Sequence, residues 1–182
     1  MTTRPDGDRT DHTIEHGDPH RATTTQFARG KLVFDVTEAG PPEGEPVVLL
    51  HGFPQFSDSW DALVPLLTQH GYRTLAMDQR GYSVGARPPG RRAYRIPELV
   101  ADVVALIDAH GGGPAHVVGH DWGAAVAWAL TAGRPDKVRS LTALYVDAPY
   151  QFETLRGVSH WIPEAATSEL AALLLPHLQR WS

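Results

Sequence analysis

Ala115-His116-Val117-Val118-Gly119-His120-Asp121-Trp122-Gly123-Ala124-Ala125-Val126-Ala127 reads as a strand, one sharp turn and the start of a helix. The apolar run Ala115–Val118 precedes the turn, and a helical pattern runs over Ala124–Ala132 after it. At the turn the pattern is small-x-acid-x-small, with Gly119 and Gly123 flanking Asp121. A turn this tight leaves room only for small flanking side chains, and the central one stands exposed above the sheet as a nucleophile. Here that residue is a carboxylate. Carboxylates attack alkyl carbon, in an epoxide or an alkyl halide, and leave an alkyl ester. The turn therefore points to the opening of small electrophiles. Serine-esterase chemistry is disfavoured, because no Gly-x-Ser-x-Gly occurs and Ser159 lies outside any such turn.

Outward from the turn, strands and helices alternate. Thr23–Ala28 and Lys31–Thr37 read as a hairpin around Arg29-Gly30. Pro46–His51 is short and nearly all apolar, the pattern of a strand buried on both faces. Ser57–His70 has helical periodicity through Trp60, Leu63, Val64 and Leu67 and stops at Gly71. Arg73–Asp78 is the next strand, and Pro97–His110 the next helix, with Leu99, Val103 and Leu106 on one face. Beyond the turn, Leu141–Val146 and Gln151–Arg156 read as strands and Pro163–Trp181 as an amphipathic helix. This alternation implies an α/β fold: a mostly parallel sheet with helices on both faces. Residues 1–21 are polar and Gly/Pro-broken and read as a disordered tail; residues 22–182 read as a single core domain.

The chain has 182 residues, a net charge of −5 and no cysteine. That length suits one domain with a real core, and the charge disfavours nucleic acid as a partner. Disulfides, thiolate metal sites and cysteine nucleophiles are excluded. Arg87, Arg91, Arg92 and Arg95 lie among Pro88, Pro89 and Gly90 and read as a solvated loop. His12, His16 and His20 have helical spacing, but Gly17 and Pro19 break any helix, so no metal site is expected. No apolar run is long enough to span a membrane, and no signal-peptide pattern opens the chain. The expected location is cytoplasmic and the expected partner a small-molecule substrate.

Ligands of such sheets bind at the carboxyl ends of the strands. Asp121 lies at one such end and His51-Gly52-Phe53-Pro54 at another. Hydrolysis of an alkyl ester passes through an oxyanion that needs positioned N–H donors. The backbone of Trp122 offers one and that of Phe53 the other, with Pro54 a candidate for a cis bond that shapes the loop. A general base is expected after the turn in sequence, and His160 and His177 are the candidates. His177 falls inside the last helix, where a surface role is expected. His160 falls in a loop before that helix and is the expected activator of water. His70 and His110 close helices and are expected to act there.

Four segments carry a family resemblance: His51-Gly52-Phe53-Pro54-Gln55, Asp78-Gln79-Arg80-Gly81-Tyr82-Ser83, Gly119-His120-Asp121-Trp122-Gly123 and Gly157-Val158-Ser159-His160-Trp161-Ile162-Pro163. Together they resemble bacterial α/β-hydrolases of the epoxide hydrolase and haloalkane dehalogenase branch, over most of residues 27–181. The resemblance implies Asp121 as nucleophile, His160 as base, Phe53 and Trp122 as oxyanion donors, a structural role for residues 78–81, and no cofactor. Dehalogenase chemistry is a rival, with the Trp122 indole as halide donor, although Phe53 stands where dehalogenases often place a polar residue.

In one respect the sequence departs from that family. Family members insert a helical cap after the strand that here is Leu141–Val146, and then a further strand and helix before the histidine segment. Here the strand runs almost directly into Asp147-Ala148-Pro149-Tyr150-Gln151-Phe152-Glu153, so the expected fold is a truncated α/β-hydrolase core. The cap tyrosines that protonate an epoxide oxygen have no counterpart. The acid that orients the histidine is also missing from its family position, with Asp147 the nearest substitute and Glu153 and Glu164 weaker ones. The short link after Val146 suits a hairpin, which would carry His160 to the wrong edge of the sheet. If the strand ends at Ala143, a stretched parallel return is possible instead. A capless, catalytically impaired remnant is the alternative reading from another class.

Overall fold

The computed structural model describes residues 22–144 and 160–182. Six strands form one sheet: β1 (Thr23–Arg29), β2 (Leu32–Ala39), β3 (Pro46–Leu50), β4 (Arg73–Met77), β5 (Ala115–His120) and β6 (Val138–Leu144). Their order is β1-β2-β4-β3-β5-β6. β1 pairs with β2 and β2 with β4 antiparallel; β4, β3, β5 and β6 run parallel. The helices are α1 (Val64–Thr68), α2 (Ile96–Ala109), α3 (Trp122–Gly133), α4 (Ile162–Ala165) and α5 (Thr167–Gln179).

Strand side chains alternate between faces, and the two cores follow that alternation. Val48, Leu50, Leu75, Met77, Ala115 and Val117 meet Val103, Leu106 and Ile107 of α2 and Val126, Ala127 and Leu130 of α3. Val47, Leu49, Ala76 and Val118 meet Leu63, Val64 and Leu67 around α1 and Leu170, Leu174 and Leu178 of α5. The mostly parallel sheet with helices on both faces is thus as the sequence implies.

Three segments differ from expectation, each for a local reason. Residues 57–70 do not form one helix; a 3-10 turn over Ser57–Trp60 is followed by α1, with Pro65 in its first turn. Proline has no N–H to donate backwards, so the helix restarts there. The last helix is likewise two, α4 and α5, separated at Ala166, whose φ is −140°. β6 begins at Val138 rather than Leu141. Its polar opening residues are paired: Ser140 Oγ meets His116 Nδ1 at 2.7 Å, and Arg139 meets Glu45 at 3.1 Å. The expected strand Gln151–Arg156, the tail and its three histidines lie outside the described residues.

His70 and His110 do close their helices: each Nδ1 lies 2.8 Å from the carbonyl four residues back, Leu66 and Leu106 respectively. His177 is half-buried rather than on the surface, and burial, then Arg180, lowers its pKa. Among the described residues no helix is long and apolar enough to cross a membrane, and no cluster of potential metal ligands occurs.

Candidate active site

The turn at Asp121 explains why its neighbours are glycines. A Cβ on Gly123 would stand 2.1 Å from the Leu50 carbonyl oxygen, and one on Gly119 would stand 2.5 Å from the Gly123 carbonyl oxygen. α3 is thereby seated directly on the end of β3. Asp121 takes φ 52° and ψ −118°, the only positive φ of a non-glycine among the described residues. The side chain is thus aimed off the sheet from the N-terminus of α3. There the unpaired first-turn N–H groups and the helix dipole favour negative charge.

The loop after β3 approaches from the other side. A cis bond joins Phe53 to Pro54, as the loop reading anticipated. The Phe53 N–H donates to Asp121 Oδ1 at 2.9 Å. Gly52 lies against the same carboxylate: a Cβ there would come within 2.6 Å of Asp121 Cβ. His51 anchors the loop from beneath. The Gln79 N–H donates to its Nε2 at 3.1 Å, so Nδ1 carries the proton and donates to the Gly52 carbonyl at 2.9 Å. That bonding makes a neutral imidazole, and burial lowers its pKa.

His160 completes the group. Its Nε2 lies 3.9 Å from Asp121 Oδ2. The wrong-edge placement that a hairpin after Val146 would impose is therefore not found. Asp147 and Glu153 lie outside the described residues. Glu164 bonds the side chain of Gln55. Tyr82 stands nearby, edge-on to His51 at 4.5 Å and to Phe56 at 5.2 Å; burial and the Asp121 charge raise its pKa. The side chains of Phe53 and Trp122 beside the site are 63% and 62% exposed.

The sequence model of the α/β-hydrolase fold matches residues 45–179. The chain belongs to the α/β-hydrolase family. It is similar to epoxide hydrolase B of Mycobacterium tuberculosis, at 44% identity over 119 residues, which are 65% of this chain and 33% of that protein. Epoxide hydrolase A of the same organism is 46% identical over 113 residues, covering 62% and 35%. Among solved structures, an epoxide hydrolase from an endophytic Streptomyces superposes with a TM-score of 0.66 at 38% identity, over 71% of this chain and 38% of that one. The match thus spans about a third of the length of the curated relatives.

For this α/β-hydrolase, two outcomes follow from the loop. Gly52→Ala places a methyl carbon 2.6 Å from Asp121 Cβ, so the loop and the turn cannot both keep their positions. The variant should lose about 1–3 kcal/mol of stability in urea unfolding, because the atom it meets is a Cβ fixed to the backbone of the turn. His51 gives a pH dependence. Its folded pKa lies below the unfolded value, so below about pH 6.5 the unfolded chain binds a proton that the fold refuses. Buried His116 shifts the same way. Stability should therefore fall between pH 7.5 and 5.5, by no more than about 1.4 kcal/mol per pH unit for each histidine. Urea titrations at the two pH values check this.

The residues that motif reading passed over are His120 and Gln55. Both lie inside quoted motifs, and both are buried polar groups. A polar residue of that kind in a strand-end motif is the signal that would have found them.

Proposed function

We propose that the chain opens small epoxides through an alkyl ester on Asp121, which water activated by His160 then hydrolyses. The observation that carries this reading is the division of the Asp121 carboxylate. Oδ1 is held by the Phe53 N–H, and Oδ2 faces His160. Oδ2 attacks an epoxide carbon, the C–O bond of the ring breaks, and the alkoxide takes a proton from water at the site. His160 then removes a proton from a second water, whose oxygen attacks Asp121 Cγ. Charge develops on Oδ1, where the N–H groups of Phe53 and Trp122 stabilise it. Collapse breaks Cγ–Oδ2, the diol leaves with a proton from His160, and the new carboxyl group releases its proton to solvent. The epoxide hydrolase names of the relatives support the substrate class.

Intact mass after mixing with styrene oxide tests the first half: an increase by one epoxide is expected. A single turnover in 18O-labelled water tests the second, because collapse leaves the water oxygen in Asp121. The exposure of Phe53 and Trp122 favours a second reading, a core that binds apolar partners without turnover. Absence of both adduct and diol selects it.

A further inference from the structure

Behind Asp121 the hydrogen-bond count of His120 does not close without an added proton. The ring is fully buried. Its Nε2 lies 2.8 Å from the carbonyl oxygen of His160, and its Nδ1 lies 2.9 Å from the side-chain amide of Gln55. The other end of that amide meets a carboxylate oxygen of Glu164. A carbonyl oxygen only accepts, so Nε2 carries a proton. Two arrangements complete the rest. With the amide oxygen toward His120, Nδ1 is protonated too, and the amide N–H donates to a Glu164 carboxylate. With the amide turned over, its N–H donates to Nδ1 of a neutral ring, and its oxygen accepts from a protonated Glu164. Both arrangements hold the same number of protons, one more than a neutral imidazole, an amide and a carboxylate carry.

We infer that His120, Gln55 and Glu164 form a clasp of zero net charge, closed by one retained proton, that fixes the His160 segment against the loop bearing Phe53. The links make a ring: from the His160 carbonyl to His120 at the end of β5, to Gln55 after β3, to Glu164 in α4, and back along the chain to His160. Closing it holds His160 at its distance from Asp121. The His160 ring also packs on that of His120, with centroids 4.8 Å apart. The charged and titratable groups facing His120 are Asp121 from the turn and His160 and Glu164 from the segment that follows; burial lowers the pKa of the ring, and the bonds of the clasp are what hold the proton against it. All three clasp members are positioning residues, since none lies between Asp121 and the Nε2 of His160. Loss of the retained proton in alkali sets acceptor against acceptor and opens the ring.

The proton count stands apart from the proposed reaction; its catalytic consequence rests on that reading. NMR of the full chain labelled with 15N-histidine and 13C-glutamate reads the count directly at pH 7.5. The expected result is either a doubly protonated His120 ring or a protonated Glu164 carboxyl. A neutral His120 together with an ionised Glu164 overturns the inference. Decay of the Asp121 adduct reads the consequence. Glu164→Ala should slow it about tenfold. Glu164→Gln donates an N–H with no titrating proton, so it should restore decay near pH 7 and remove the alkaline fall that the clasp predicts for wild type. Glu164→Ala decaying at the wild-type rate, or Glu164→Gln keeping that alkaline fall, also overturns the clasp. If wild type forms no adduct, the proposed reaction fails while the NMR count still decides the clasp.

Discussion

Asp121→Asn should give no mass increase with styrene oxide and should lower diol formation by at least about 10⁴-fold, the scale of losing a nucleophile. Asparagine has the same shape, and its amide oxygen can still accept from the Phe53 N–H as Oδ1 does at 2.9 Å. The turn, its glycines and the positive φ are untouched, so the melt should stay close to wild type. An amide has no carboxylate charge to attack carbon, and this loss is chemical rather than structural. The complementary variant, His160→Gln, should still esterify, because Oδ2 remains free to attack. Its adduct should persist, since nothing then removes a proton from water. An Asp121→Asn protein that still gains one epoxide would place the nucleophile elsewhere.

The second large effect concerns stability and lies away from the site. Asp102 of α2 is buried and receives Arg80 through two bonds of 2.7 Å, Nε to Oδ2 and Nη2 to Oδ1. Arg29 of β1 adds a third at 2.9 Å. Arg80 is itself buried and also donates to the Ala93 carbonyl at 3.0 Å. These bonds join the loop after β4 to α2 and to the edge of the sheet. Asp102→Ala leaves the Arg80 guanidinium buried without its carboxylate, a change that costs about 3–5 kcal/mol. Against a total stability of about 5–15 kcal/mol, that loss is a third or more in most of the range. Urea unfolding should show it as a lower midpoint with an unchanged slope. The double variant Arg80→Met, Asp102→Leu should recover much of the loss, because the unpaired charge goes with its partner. Equal losses in the single and double variants would contradict this account.

The turn at Asp121 was legible because steric exclusion writes itself locally: only glycine fits where a backbone carbonyl lies within 2.1–2.5 Å of the absent Cβ. The parallel core strands were legible because burial on both faces makes them apolar throughout. The start of β6 was not, since Ser140 and Arg139 look like loop residues until His116 and Glu45 are seen to receive them. The break at Pro65 was hidden by apolar periodicity that continues across it. The nearness of His160 to Asp121 depends on long-range geometry, which spacing alone left open between a hairpin and a stretched parallel return. The same is true of the bond between His120 and Gln55, which are 65 residues apart in the chain.

The glycine seat of α3 also bears on how such a chain diversifies. At positions 119 and 123 inheritance is constrained by atoms of the main chain, which no compensating side-chain change can move aside. At position 121 the backbone demands only a residue that tolerates positive φ. A change at the centre of the turn therefore leaves the seat of α3 in place, whereas a side chain added at either flank lifts the helix off the sheet.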